Sequence, residues 1–477
     1  MVNITTHYIN GQFVESKGQE KFGLINPSSN QLLGHVTLGN VEDTQDAIAA
    51  AKAAFKTFST TTREERLDWL QRLYDALKAR AQPLSEAMVE EFGAPVKKSP
   101  IAAAFSTDEF LHVKKALSNF NFVREMGNAK VIFEPLGVTA VITPWNSNAL
   151  FICRKMGTAI AAGCTTVIKP SEMSAIQTQV LVEALHEAGL PPGVFNVVVG
   201  RGDVVGAELT RHPDVAKISF TGSTATGKTI AKGAVDTMKR VTLELGGKSA
   251  NIILDDADFA KAIPLAIMNA FLNNGEACNA GTRLLVPEDR LDEVKKSIKH
   301  AVEQVKVGNC LDEDTFIGPL VSRKQYERVQ GYIKSGVEEG AELVTGGLGH
   351  PQGLSPKSLE EGNFVRPTVF ANVTRNMRIA QEEIFGPVLS ILTYKTDEEA
   401  IEIANDSIYG LYAYISSSDM ERANRIASQL QVGRVSINGA PHDTGAPFGG
   451  FKQSGIGREY GEIGLEAYLE PKAILGS

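Results

Sequence analysis

From Gly137 onward, short β-branched runs alternate with segments of helical periodicity: GVTAVIT, a helix near 150–162, TTVIK, a helix near 174–188, FNVVV, a helix near 203–211, AKISF, a helix near 225–238, and VTLEL. The runs recur about every 20 to 30 residues, the cadence of βα units in a parallel sheet with right-handed crossovers. This predicts a doubly wound α/β domain. After Gly246-Gly247 a second α/β cadence opens with NIILDD, a helix near 257–273, RLLVP and a helix near 290–306, and runs on to about residue 450. Upstream, Asn40 to Phe122 is helical in pattern: Leu67, Leu70, Leu73 and Leu77 share one face, and Thr62 with Glu65 has the spacing of a capping box. The segment VREMGNAKVIFEP reads as a short strand pair or an arm, and YLEPKAIL near the C-terminus as a lone strand that needs a partner edge, possible in another subunit.

Composition narrows the function classes. The 477 residues correspond to about three domain-sized units. With 48 basic against 56 acidic side chains the net charge is −8, which disfavours binding to a nucleic acid duplex. The 44 glycines suggest many tight turns or close backbone approaches. Cys153, Cys164, Cys278 and Cys310 are far apart and have no metal-ligand spacing, so the expectation is a reducing, cytoplasmic setting with neither a disulfide framework nor a metal site. MVNITTHYINGQF carries no leader pattern, and the weakly polar stretch from Phe151 to Ile168 is interrupted by Arg154 and Lys155. No export and no membrane span are expected.

Gly222 to Thr229, GSTATGKT, matches the P-loop pattern in full, follows a predicted strand and opens a predicted helix. NIILDD downstream could serve as the strand that ends in a metal-binding aspartate, so a nucleotide triphosphatase is a real competitor. Against it, the loop follows the fourth strand of its sheet, whereas P-loops usually follow the first. Both readings share a helix N-terminus that favours phosphate. The cluster Gly200-Arg-Gly202-Asp-Val-Val-Gly206 is one residue too long for G-x-G-x-x-G and is more often a tight turn.

The reactive side chains gather at one edge. Asn146 follows the first strand, Lys169 ends the second, Ser223 follows the fourth and Glu244 ends the fifth, all at carboxyl ends, where open α/β sheets bind ligands. Glu244 shares a strand face with Thr242, opposite Val241, Leu243 and Leu245. Desolvation there raises a carboxylate toward a useful base, although a salt-bridged structural glutamate is the plainer alternative. Cys278 sits in the polar, glycine-bracketed loop NNGEACNAGTR, where a thiol with a base nearby is nucleophilic; the other three cysteines fit inert core positions.

The motifs TPWN (143–146), AAGCTTVIKPSE (161–172), FTGSTATG (220–227), LELGGKS (243–249), the cysteine loop, QEEIFGPV (381–388) and PFGGFKQSGIGRE (447–459) together resemble the NAD(P)-dependent aldehyde dehydrogenase superfamily over essentially the whole chain. The resemblance implies an NAD-binding domain over 1–116 and 136–246, a catalytic domain over 247–455, and a bridging segment, 117–135 with 456–477, that joins subunits into dimers or tetramers. By the same resemblance Cys278 is the nucleophile that gives a thiohemiacetal, and Asn146 with the Cys278 N–H holds the oxyanion. Hydride transfer to the nicotinamide then leaves a thioester, which Glu244 hydrolyses as general base, with Lys155 also in the catalytic set. Lys169 and Glu172 match the adenosine-ribose contacts, and Ser223 with Gly222 the pyrophosphate turn. Glu383 matches the nicotinamide-ribose contact, Phe385 lies beside the ring, and Ile142, Trp145 and Gly246 complete the cofactor set. A carboxylate at Glu172 favours NAD over NADP, with NADP possible. The family's pyrophosphate turn also accounts for the P-loop match.

The departures from the family pattern concern the substrate. Ser147-Asn148 replaces the common Phe-Pro after the oxyanion asparagine, and Arg154 and Leu272 stand where aromatic tunnel walls are frequent. Arg154 resembles the arginine that succinic semialdehyde and lactaldehyde dehydrogenases present to a polar group; a structural ion pair is its alternative. The expectation is a short polar aldehyde, with Asn279, His442, Asp443 and Phe448 also lining the pocket.

Overall fold

The computed structural model describes Met1–Gly476. The expected cadence forms β1 (Val138–Ile142), α1 (Asn148–Ala162), β2 (Thr165–Lys169), α2 (Ala175–Glu187), β3 (Phe195–Val197), β4 (Val215–Thr221), α3 (Thr224–Val235) and β5 (Arg240–Glu244). These five strands are parallel in the order β5-β4-β1-β2-β3, the doubly wound arrangement. Every residue of β1 and β2 is buried, as expected of strands covered on both faces. The strands Thr6–Ile9 and Gln12–Glu15 extend the sheet beyond β3. At the other edge Gly455–Ile456 pairs antiparallel with β5, opposite Leu243 and Glu244. Register aligns the carboxyl ends: Ile142 lies opposite both Lys169 and Phe220, and Thr221 opposite Glu244.

Helices pack against this sheet because their apolar faces match it. In Arg63–Ala79, Leu70, Leu73 and Leu77 are fully buried, Leu67 is half-buried, and Thr62 and Glu65 form the expected capping box. Such a cap contributes about 1 kcal/mol. α1 is buried along nearly its whole length, between the sheet and the helix Ser99–Asn119. Its last turn ends at Gly163, whose φ of 86° is the left-handed cap that glycine favours.

The second cadence contains β6 (Ala250–Ile253), α4 (Phe259–Ala270) and β7 (Arg283–Pro287), in a seven-stranded sheet. In that sheet Val388–Tyr394 lies beside β7, and Tyr412–Ser416 beside β6. α4 is shorter than its pattern predicts. It stops at Ala270, and Asn273, Asn274 and Gly275 follow with φ of 53°, 61° and 79°. The apolar periodicity extends past the point where the chain turns back toward the first sheet. Val123–Met126, Ala129–Pro135 and Leu469–Leu475 form a separate antiparallel sheet, so the C-terminal strand finds its partner edge within its own chain.

Candidate active site

The loops after β1, β4 and β5 meet the loop after α4 in one cavity of about 190 Å³, lined by Trp145, Asn146, Phe151, Gly222, Ser223, Gly246, Cys278, Glu383 and Phe385 among others. Gly246 and Gly247 make this approach possible. A Cβ on Gly247 would lie 2.3 Å from the Cys278 carbonyl oxygen, and one on Gly246 would lie 2.6 Å from Glu383 Oε2. Any side chain at either position would displace the Cys278 loop or the carboxylate.

Cys278 is half-buried and packs, as Phe448 does, against the cluster of Leu411, Tyr412 and Tyr414, while Cys153, Cys164 and Cys310 are buried; all four thiols are free. Burial, then the Glu383 and Glu244 carboxylates, push the Cys278 thiol up to about 12, with Arg154 acting in the opposite direction. In the resting protein it is therefore a thiol that needs a base. Asn146 is buried and its Nδ2 donates to the Glu276 carbonyl at 2.9 Å. One amide N–H is thus used and the other is free for a ligand.

Glu244 is buried at the end of β5 and neither carboxylate oxygen has a hydrogen-bond partner. Burial, and next the Glu459 carboxylate, hold its carboxyl well above the usual range, while Lys155 and Arg154 oppose them. Gly449 closes the space beside it, for a Cβ there would lie 2.7 Å from Glu244 Oε1. Behind Glu244, Lys155 Nζ forms an ion pair with Glu459 Oε1 and donates to Ser219 Oγ at 3.2 Å. Burial alone would raise Glu459, but Lys155 and Arg154 together hold it low. Glu459 is a member of this cluster that residue-type reasoning missed; its place in the PFGG motif was the only signal.

Lys169 and Glu172 meet at 3.7 Å, and Arg201 Nη1 reaches the same carboxylate at 3.3 Å. Arg201 comes from the Gly200–Gly206 cluster expected to be only a turn. The groove there is thus more cationic than Glu172 by itself suggests. Ser223 caps α3, its Oγ accepting from the Thr226 N–H at 3.2 Å. Trp145 and Phe385 meet edge to face at 5.5 Å, and Ile142 is buried at the end of β1. These residues fit a dinucleotide: the backbone is bare at Gly222 and Gly246, a capped twelve-residue helix offers its N-terminus, and Glu383 lies in the wall.

The position of the helix start speaks against the P-loop alternative. β4 ends at Thr221 and α3 begins at Thr224, so most of the residues that match the P-loop pattern are already helical. Gly227 packs on Leu245 within the helix, and Lys228 Nζ donates to Gln453 Oε1 at 2.8 Å.

Among the substrate candidates, Arg154 adopts the ion-pair alternative. It is buried, 3.4 Å from Glu459 Oε2, with its guanidinium 4.5 Å from the Tyr460 ring centroid and 5.1 Å from that of Phe151, and its Nε has no hydrogen-bond partner. Correcting the sequence expectation, it lies behind Phe151 rather than in the wall of the Cys278 cavity. Leu272 is largely exposed, and Ser147 Oγ donates to the Asn146 carbonyl at 2.7 Å. Asn279 exchanges hydrogen bonds with Tyr414. His442 Nδ1 lies 2.8 Å from Arg434 Nη1, which joins it to the loop of Asp443, whose carbonyl accepts from the same arginine; Phe448 packs near Cys278.

An α/β enzyme with a cysteine, an amide and a carboxylate at the carboxyl edge of a doubly wound sheet is the class that fold and site define. The chain belongs to the aldehyde dehydrogenase family, whose model matches residues 13–474. It is 46% identical over 471 residues to the 3-succinoylsemialdehyde-pyridine dehydrogenase of a Pseudomonas species, covering 98% of both chains. Its structure superposes with a TM-score of 0.96 on a variant of aldehyde dehydrogenase C from Pseudomonas syringae solved with NAD+ and octanal, at 42% identity, covering 99% of this chain and 96% of that one. Betaine aldehyde dehydrogenase of Staphylococcus aureus, solved with NAD+, gives 0.94 at 36% identity, covering 98% of this chain and 94% of that one. Among the described residues, no helix is long and apolar enough to cross a membrane and no cluster of metal ligands occurs.

Proposed function

We propose that this NAD-dependent aldehyde dehydrogenase works through Cys278, Asn146 and Glu244. The observation that carries the reading is that Asn146 and Cys278 line one cavity with Glu383 and Phe385, while the loop after Glu244 touches the Cys278 backbone. The Cys278 sulfur adds to the aldehyde carbon, and its proton leaves for a nearby carboxylate. Negative charge then gathers on the former carbonyl oxygen, where the free Asn146 N–H and the Cys278 backbone N–H stabilise it. The chemistry that NAD brings when bound is acceptance of a hydride, so that collapse of the adduct leaves a thioester on Cys278. Glu244 takes a proton from water as that water attacks the thioester, and the acid leaves with the thiol restored. Lys155 and Glu459 lie directly behind Glu244 and set its charge environment. Glu383, Lys169, Glu172 and Ser223 hold the dinucleotide.

The substrate is a short aldehyde with a polar distal group. Two features support this: the polar His442 loop and a relative named for a semialdehyde. The division into an NAD-binding unit (1–116 and 136–246), a catalytic unit (247–455) and a bridging segment belongs to the same proposal. So does a homo-oligomer joined through the exposed strand Leu469–Leu475, in a reducing cytoplasm that suits four free thiols. Absorbance of NADH is the test. Wild-type protein should form it with succinic semialdehyde, lactaldehyde or propanal, and Cys278→Ala should not. Full activity of that variant ends the mechanism, and a best kcat/KM on benzaldehyde ends the substrate assignment.

A further inference from the structure

The Glu276 carbonyl, two residues before Cys278, accepts from Asn146 Nδ2 at 2.9 Å and from Asn273 Nδ2 at 3.1 Å. Asn273 Nδ2 also donates to the backbone carbonyl of Asn146 at 2.9 Å. An amide has two N–H donors. Asn273 therefore spends one on the segment that carries Asn146 and one on the loop that carries Cys278. Asn146 spends only one, and against a carbonyl its amide oxygen cannot replace the nitrogen, so the plane of the side chain is fixed. Its second N–H is left for the cavity.

We propose that Asn273 is a positioning residue of the oxyanion site. Its amide ties the end of the β1 segment to the nucleophile loop and so sets the separation of the two oxyanion donors. This rests on the catalytic reading given above. The backbone supports it, because Asn273, Asn274 and Gly275 are three successive left-handed residues, a conformation that asparagine and glycine tolerate best. That turn folds the chain back so that the Asn273 side chain faces Asn146. Asn274 anchors the other side of the turn: its Oδ1 accepts from the Gly318 N–H at 2.8 Å, and its Nδ2 donates to the Pro319 carbonyl at 3.2 Å. A misplacement of about 1 Å at a reacting centre costs about a hundredfold in rate.

The test uses Asn273→Gly, which keeps the left-handed backbone and deletes the amide, and Asn273→Asp, which keeps the shape but sets carboxylate oxygens against two carbonyls. Two reactions are followed: aldehyde oxidation with NAD, and hydrolysis of p-nitrophenyl acetate without it, which uses the nucleophile and the oxyanion donors but no hydride acceptor. Both kcat values are expected to fall about tenfold to a hundredfold, further in the aspartate variant. KM, NAD affinity by tryptophan fluorescence and the rate of Cys278 alkylation should stay within about threefold, since none depends on a developing oxyanion. A kcat for the glycine variant within about twofold of wild type overturns the proposal, as do NAD affinity and alkylation falling in step with kcat, the pattern of a turn that has merely lost its shape. Wild-type protein inert toward aldehydes and ester alike overturns the catalytic reading itself. An active wild type with unimpaired variants overturns only the role of Asn273.

Discussion

Replacing Glu383 by glutamine is expected to stabilise the resting protein while weakening its hold on NAD. Glu383 is buried in the cavity wall, and its Oε1 accepts from the Gly247 N–H at 2.9 Å. Burial raises its carboxyl from 4.5 to about 7, against the opposing pull of the Gly247 hydrogen bond and of Arg328 and Lys248. Below about pH 4.5 the folded and unfolded states both hold the proton, so the group contributes nothing there. Between about pH 4.5 and 7 only the folded state keeps it, and stability falls by about 1.4 kcal/mol per pH unit, about 3 kcal/mol in all. Glutamine does not titrate and still offers Gly247 an acceptor. With an unfolding entropy of about 2.1 cal/mol/K per residue, a 477-residue chain converts 3 kcal/mol into about 3 °C. In scanning calorimetry without NAD, the Tm of Glu383→Gln should therefore exceed that of wild type by about 3 °C at pH 8 and match it within about 1 °C at pH 5. A gain of equal size at both pH values, or a loss at pH 8, would refute the premise that burying this charge dominates the site.

Glu244→Gln should still acylate Cys278, giving a burst of about one NADH per chain followed by turnover about 10² to 10⁴ times slower than wild type; stopped-flow absorbance without a burst refutes the division of labour. Because the Cys278 thiol is pushed up to about 12, alkylation by iodoacetamide in the absence of NAD should rise about tenfold per pH unit from pH 6 to 9, and a plateau below pH 8 would contradict that. Gly449→Ala places a methyl group 2.7 Å from Glu244 Oε1, so thioester hydrolysis should slow while NAD affinity is retained; unchanged kcat would show that the carboxylate has room to move.

Much of this architecture was legible in the chain. The β-branched runs predicted β1 to β5, because strands buried on both faces must be apolar throughout, and the alternation with helices predicted the parallel doubly wound sheet. The Thr62 cap and the leucine face of Arg63–Ala79 are local features that no tertiary contact had to create. Residue order alone also put Asn146, Lys169, Ser223 and Glu244 at one sheet edge, since strand direction determines which end of each strand faces that edge. What the tertiary structure decided are the contacts between segments far apart in sequence. Whether GSTATGKT is a loop or a helix start depended on where α3 could pack, with Gly227 against Leu245. Arg154 is paired rather than free because Glu459, 305 residues later, returns beside it on the segment that follows Gly455–Ile456 at the sheet edge. Arg201 reaches Glu172, and Asn273 reaches Asn146, by the same kind of return. Periodicity records which face of an element is buried; it carries no information about which distant polar atom meets it there, because that pairing is set by how whole sheets and loops pack.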